Sequence, residues 1–190
     1  MNRSRRNFLL AVGIGVASSR SSPRRVQAED ADPRVVRTWG TNGEGDGEFD
    51  IPIAVAVNQK NEILVTDFRQ GNAEARSRVQ RFDEEGEFLG SFETDPMPGG
   101  LALDGDGFLY LTHMMKHKVS VLDPAGKLVR EFGKKGSAPG EFDQPGGIAL
   151  GRDGSVYVAD QVNRRVQRLS PKGEPISSWG KYGTATGEFG

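Results

Sequence analysis

The chain repeats itself. Phe49, Pro52 and Asp67 recur as Phe142, Pro145 and Asp160, each displaced by the same 93 residues, and a degenerate copy lies midway between the two. The period is therefore about 47 residues, inside the range of roughly 20 to 50 that marks a stacked or radial repeat architecture. One such unit cannot bury its own apolar surface, and neighbouring units bury it together.

The first copy runs from Trp39-Gly40 through Gly47-Glu48-Phe49-Asp50-Ile51-Pro52, Ile63-Leu64-Val65-Thr66-Asp67, Arg78-Val79-Gln80-Arg81-Phe82 and Gly86-Glu87-Phe88-Leu89. The third copy repeats these blocks as Gly140-Glu141-Phe142-Asp143-Gln144-Pro145, Val156-Tyr157-Val158-Ala159-Asp160, Arg165-Val166-Gln167-Arg168-Leu169 and Gly173-Glu174. The middle copy carries Pro98-Gly99-Gly100-Leu101 and Leu109-Tyr110-Leu111-Thr112-His113 but lacks both the Gly-Glu-Phe segment and the Asp. Trp179-Gly180 and Gly187-Glu188-Phe189 open a further unit. Each period holds four short runs rich in Val, Ile, Leu, Phe and Tyr, separated by Asp-Gly, Pro-x-Gly or Glu-Gly turns. That pattern predicts a four-stranded antiparallel blade, and blades repeated radially form a β-propeller. The strand period excludes helical solenoids.

The aligned string, clearest at Gly147-Ile148-Ala149, Val158-Ala159-Asp160 and Asn163-Arg164-Arg165-Val166-Gln167, resembles the NHL repeat family over roughly residues 38–190. The resemblance implies an all-β, NHL-type propeller of six blades, about 280 residues at this period, of which about three four-stranded blades are present. Blade 1 is expected at 38–92, a degenerate blade 2 at 93–132, blade 3 at 133–180 and the start of another at 181–190. On this reading the chain is a C-terminally truncated fragment, and self-association would complete the ring.

The first 28 residues read as an address. Ser4-Arg5-Arg6-Asn7-Phe8-Leu9-Leu10 resembles the signature of bacterial twin-arginine signal peptides, with the pair at Arg5 and Arg6. The apolar run over residues 8–17 is too short to cross roughly 30 Å of hydrocarbon. Val26-Gln27-Ala28 offers the small residues a signal peptidase accepts, which places cleavage after Ala28, a linker at 29–37 and a mature form without a transmembrane span. The expected location is periplasmic or extracellular. Retention of the segment as an uncleaved anchor is the alternative.

Charge narrows the partners. Six arginines and no acidic residue lie in residues 1–28, so the remainder holds 19 basic against 26 acidic residues, a net charge of −7. Nucleic acid is disfavoured, and Arg76, Arg78, Arg81, Arg164, Arg165 and Arg168 are read as surface residues lying along the blades rather than as a phosphate-binding stripe. The absence of cysteine excludes a disulfide scaffold and a thiolate metal site. No phosphate loop, nucleophile elbow or paired-carboxylate motif stands outside the repeat.

A residue repeated once per blade is architectural, so Asp67, Asp160, Asn163 and Arg165 are assigned to structure, the short side chains capping backbone N–H groups in turns. The glycine-rich stretches at 43–47 and 133–140 are read as flexible connections between blades. Function is sought where the repeat breaks. One break is His113-Met114-Met115-Lys116-His117, which holds the only histidines; His113 and His117 are weak candidates for a divalent metal, and no cofactor is otherwise expected. The other is the polar insertion at 68–77 with Arg69, Asn72 and Arg76, which together with His113, Lys116 and His117 forms the candidate ligand loops. Two functions remain open: a binding or scaffold module for a protein, peptide or glycan in the bacterial envelope, and a lyase or lactonase-like hydrolase whose metal site is completed by further blades.

Overall fold

The computed structural model describes residues 37–69 and 77–190. The twin-arginine pair, the cleavage site at Ala28, nearly all of the linker and the insertion residues Asn72 and Arg76 lie outside the described residues. Twelve strands follow in sequence, with no helix among the described residues: β1 (Ile51–Val57), β2 (Ile63–Phe68), β3 (Ser77–Phe82), β4 (Phe88–Thr94), β5 (Pro98–Leu103), β6 (Leu109–His113), β7 (Lys118–Leu122), β8 (Leu128–Phe132), β9 (Pro145–Leu150), β10 (Val156–Asp160), β11 (Arg165–Leu169) and β12 (Pro175–Trp179). They form three four-stranded sheets, β1 to β4, β5 to β8 and β9 to β12, each strand pairing with its sequence neighbour. Every pairing is antiparallel. Each sheet is one blade.

The hairpins follow from turn chemistry. Asp83, Asp104 and Asp123 each accept from two backbone N–H groups of their own turn, and Asn58 does the same in the first hairpin. Between blades, alternate side chains of one strand serve opposite faces. Leu109 and Leu111 join Leu64, Val79, Leu101 and Leu122 in a core between the first and second blades. Tyr110, from the same strand β6, joins Val119, Val121, Phe142, Val156, Val158 and Leu169 between the second and third. Both faces of β6 are thus covered, and it is buried at every position while β12 is exposed throughout. Each fully buried Val, Leu or Phe side chain contributes about 1.5–3 kcal/mol.

The first strands converge. β5 packs beside β1 on one side and β9 on the other. A Cβ added at Gly100 would lie 2.9 Å from the backbone nitrogen of Ile148 and 3.0 Å from the Cα of Gly147. Two backbones meet there, and only glycine leaves the room.

Candidate functional site

In the first and third blades, the repeated polar residues are spent on holding the connection that precedes the blade. Asp67 is fully buried; its Oδ1 accepts from the backbone N–H groups of Asp50 (3.0 Å) and Ile51 (3.1 Å), and its Oδ2 from Arg78 Nε at 2.9 Å. The guanidinium of Arg78 then donates to the carbonyls of Glu44 (2.9 Å) and Glu48 (2.6 Å). Gln80 completes the clamp, donating to Glu48 O at 2.6 Å and accepting from Gly47 N at 3.0 Å. The third blade repeats this set. Asp160 accepts from Asp143 N, Asn163, Arg165 and Gln167. Arg165 donates to the carbonyls of Ala138 and Glu141, Gln167 spans Gly140 N and Glu141 O, and Asn163 reaches Gly136 O.

These contacts correct three expectations. Asp67 and Asp160 do not cap local turns; they cross-link the blade to a segment about 16 residues earlier in the chain. Arg78 is not a surface residue, since it is 4% exposed and paired with a buried carboxylate. The stretches at 43–47 and 133–140 are not loose connections, because buried side chains pin their carbonyls and N–H groups. Arg168 does lie outside, paired with Asp153 and set over the Tyr157 ring.

The second blade keeps the register and changes the chemistry. His113 pairs with Lys118 across β6 and β7 as Asp67 pairs with Arg78 and Asp160 with Arg165. Ser120 stands opposite Glu131, whereas Gln80 and Gln167 stand opposite Ser91 and Ser178. The connection shrinks as well: residues 95–97 replace residues 133–144 of the next junction. Both junctions enter the first strand through a residue of positive φ, Met97 at 52° and Gln144 at 53°. The pinned Gly-Glu-Phe excursion is missing, and a cleft of about 400 Å³ opens in its place.

Glu93, Thr94, Asp95, His113, Lys118, Ser120 and Glu131 supply the cleft's polar wall. Lys118 Nζ bridges Asp95 Oδ2 (2.8 Å) and Glu131 Oε1 (2.6 Å), and Ser120 donates to the same Glu131 oxygen at 2.8 Å. His113 is 2% exposed, its Nδ1 lies 4.0 Å from Asp95 Oδ2, and neither ring nitrogen has a hydrogen-bond partner. Burial pulls its pKa down to about 4, with the Asp95 charge opposing and the Lys118 charge assisting. The imidazole is therefore neutral at ordinary pH. Burial pushes the carboxyls of Asp95 and Glu131 up, but the hydrogen bonds and charge of Lys118 outweigh it and hold both below the usual carboxylate range.

The two histidines do not share partners. The Nδ1 of His117 accepts from Gln144 N at 3.2 Å and lies 3.3 Å from Asp143 Oδ1, toward the third blade. Among the described residues no group of three His, Asp or Glu side chains is arranged to hold a metal ion. Lys116 is exposed at the tip of the β6–β7 turn. Arg69 reaches Glu44 O at 3.2 Å, so the described end of the insertion rests on the first connection. Sequence reasoning singled out His113 and missed Lys118, Ser120, Glu131 and Asp95. The signal was present: at those register positions Lys replaces Arg, Ser replaces Gln and Glu replaces Ser.

Comparison with known proteins places this geometry. The NHL repeat family matches residues 142–169, the third blade from Phe142 to Leu169. No curated protein matches the chain by sequence. Among solved structures, the chain is similar to a protein of unknown function from Bacteroides caccae (TM-score 0.53, 14% identity, 67% of this chain and 45% of that one). It is also similar to a gluconolactonase from Xanthomonas campestris (TM-score 0.52, 17% identity, 71% and 48%). A third is virginiamycin B lyase from Staphylococcus aureus (TM-score 0.50, 17% identity, 67% and 40%). At these identities the likeness is one of fold, and the chain spans less than half the length of each. Among the described residues no helix is long and apolar enough to cross a membrane.

Proposed function

We propose that the chain is an exported NHL-repeat β-propeller module that binds a protein, peptide or glycan in the bacterial envelope. The observation that carries this reading is the contrast between blades. In the first and third, the clamp residues Asp67, Arg78 and Gln80, and Asp160, Arg165 and Gln167, are satisfied within the protein, by one another and by backbone groups. In the second, the same positions face a cleft and His113 is left without a partner. Buried polar groups are almost always hydrogen-bonded, so an orphaned one beside an open cleft marks a place for a partner from outside. Export rests on Arg5, Arg6 and the segment through Ala28.

The test is a screen of the purified chain against a displayed peptide library and a glycan array. A control variant carries H113D, K118R and S120Q, with residues 95–97 replaced by the sequence of residues 133–144. Ligands that bind the natural chain and not the filled variant support the reading. Ligands retained equally by both, or none at all, overturn it.

A second reading follows from the lyase and gluconolactonase among the structural relatives: a propeller enzyme with His113 near its chemistry and metal ligands contributed by further blades. Turnover of a gluconolactone or of virginiamycin B that disappears in H113Q would establish it. Turnover indifferent to H113Q would exclude His113 from it.

A further inference from the structure

The cleft in the second blade has a donor and acceptor balance that specifies its ligand. Lys118 and Ser120 already spend hydrogens on Asp95 and Glu131. The bonds described use a single oxygen of each carboxylate, Asp95 Oδ2 and Glu131 Oε1, and both side chains are 36% exposed. An entering group therefore meets three acidic side chains, Glu93, Asp95 and Glu131, against one ammonium, with a neutral, unpartnered imidazole buried in the wall. An anionic ligand would bring a further negative charge beside these carboxylates. A group rich in N–H donors would be received by the carboxylates and by His113 together. In the sibling blades the register position of Lys118 holds Arg78 or Arg165 against a buried carboxylate, so a cation set among acceptors is the arrangement this part of the blade is built around.

We infer that the cleft bounded by Asp95, His113, Lys118, Ser120 and Glu131 binds a basic side chain, the guanidinium or ammonium of an Arg or Lys presented by a peptide. The cleft's volume admits one such side chain, and Leu128 in its lining, half exposed, offers apolar surface for the methylene stem. The assignment rests on the binding reading above and gives it a ligand chemistry.

The two histidines make the test direct. Nα-acetylarginine amide, Nα-acetyllysine amide and, as an acidic control, Nα-acetylglutamate amide are titrated into the isotope-labelled chain while the ring resonances of His113 and His117 are followed, assigned with H117Q. The expected result is a saturable shift of His113 by the basic compounds, with His117 unmoved and the acidic control inert. In D95N/E131Q, with the fold checked by circular dichroism, affinity should fall at least tenfold. D95N alone, on the half-buried connection, should fall severalfold and serves if the double variant does not fold. A shift produced equally by the acidic control, a shift insensitive to both variants, or no saturable shift overturns the assignment. Library peptides that bind the chain without moving His113 likewise overturn it while leaving the binding role standing. A saturable His113 shift that D95N weakens supports it even where the glycan array is blank.

Discussion

At the scale of the residue, His113 and Asp160 stand at equivalent positions and carry opposite obligations. Asp160 is a fully buried carboxylate satisfied by Asp143 N, Asn163, Arg165 and Gln167. Removing it leaves the Arg165 charge without its carboxylate and Asp143 N without its acceptor, and breaking a buried pair in this way costs about 3–5 kcal/mol. Asp160→Ala should lower the free energy of urea unfolding by that amount, with Asp67→Ala close behind. His113 acts through pH. Its folded pKa of about 4 lies below the ordinary 6.5, so the unfolded chain binds more protons between those values and stability falls as pH drops through that window. The loss attributable to His113 is about 3 kcal/mol at most. Unfolding measured at pH 7 and pH 4 should show a smaller difference in His113→Gln. Asp95 and Glu131, held below the usual carboxylate range by Lys118, add a loss in the same direction at still lower pH.

At the scale of the element, the connection between blades is where the repeat carries its weight. Phe142 leaves the pinned excursion and enters the core between the second and third blades, where it is wholly buried. Phe189 ends an equivalent excursion and is 42% exposed. Phe142→Ala should therefore cost about 3–5 kcal/mol, while Phe189→Ala should stay within about 0.5 kcal/mol, a graded pair that thermal unfolding resolves. Gly133 offers a backbone test. Its φ is 91°, and an added Cβ would fall 2.5 Å from the Phe142 ring, so Gly133→Ala should destabilise through both strain and the displaced ring. The strands themselves were legible in the sequence. Runs such as Leu109-Tyr110-Leu111 and Val156-Tyr157-Val158 bounded by Asp-Gly turns define four per period, and the structure has four per blade. The clamps were not legible. An Asp and the carbonyl it stabilises indirectly are separated by a hairpin, and no local pattern says that Arg78 turns inward to Glu44 and Glu48 rather than outward to water.

At the scale of the whole molecule, two expectations follow from the chain's surface and its first residues. Ile53, Val55 and Val57 of β1 are between 48% and 64% exposed, as is Ile176 at 53% on β12. Such apolar surface at blade faces is covered elsewhere in this fold by a neighbouring blade. If copies of the chain cover it for each other, sedimentation should show a mass above the monomer that Ile53→Lys with Val55→Lys reduces to the monomer. A reporter fused after residue 28 should reach the periplasm, and Arg5→Lys with Arg6→Lys should retain it in the cytoplasm. Retention of export by that pair would remove the twin-arginine assignment.

By itself, the sequence determined what depends on short-range order: the period, the strands, the turns, the all-β propeller-type blade and the position where the repeat breaks. These are readable because strand alternation and turn chemistry are set within a few residues of one another. Only the tertiary structure decided what the break means. The loss of the Gly-Glu-Phe excursion and the exchanges to His113, Lys118, Ser120 and Glu131 lie on four separate segments. They become one cleft because the sheet register brings β6, β7 and β8 side by side while the shortened connection leaves their shared face uncovered. In the sequence the missing segment is only a gap in the repeat. In the folded chain its absence is a volume, and the residues around that volume state its chemistry.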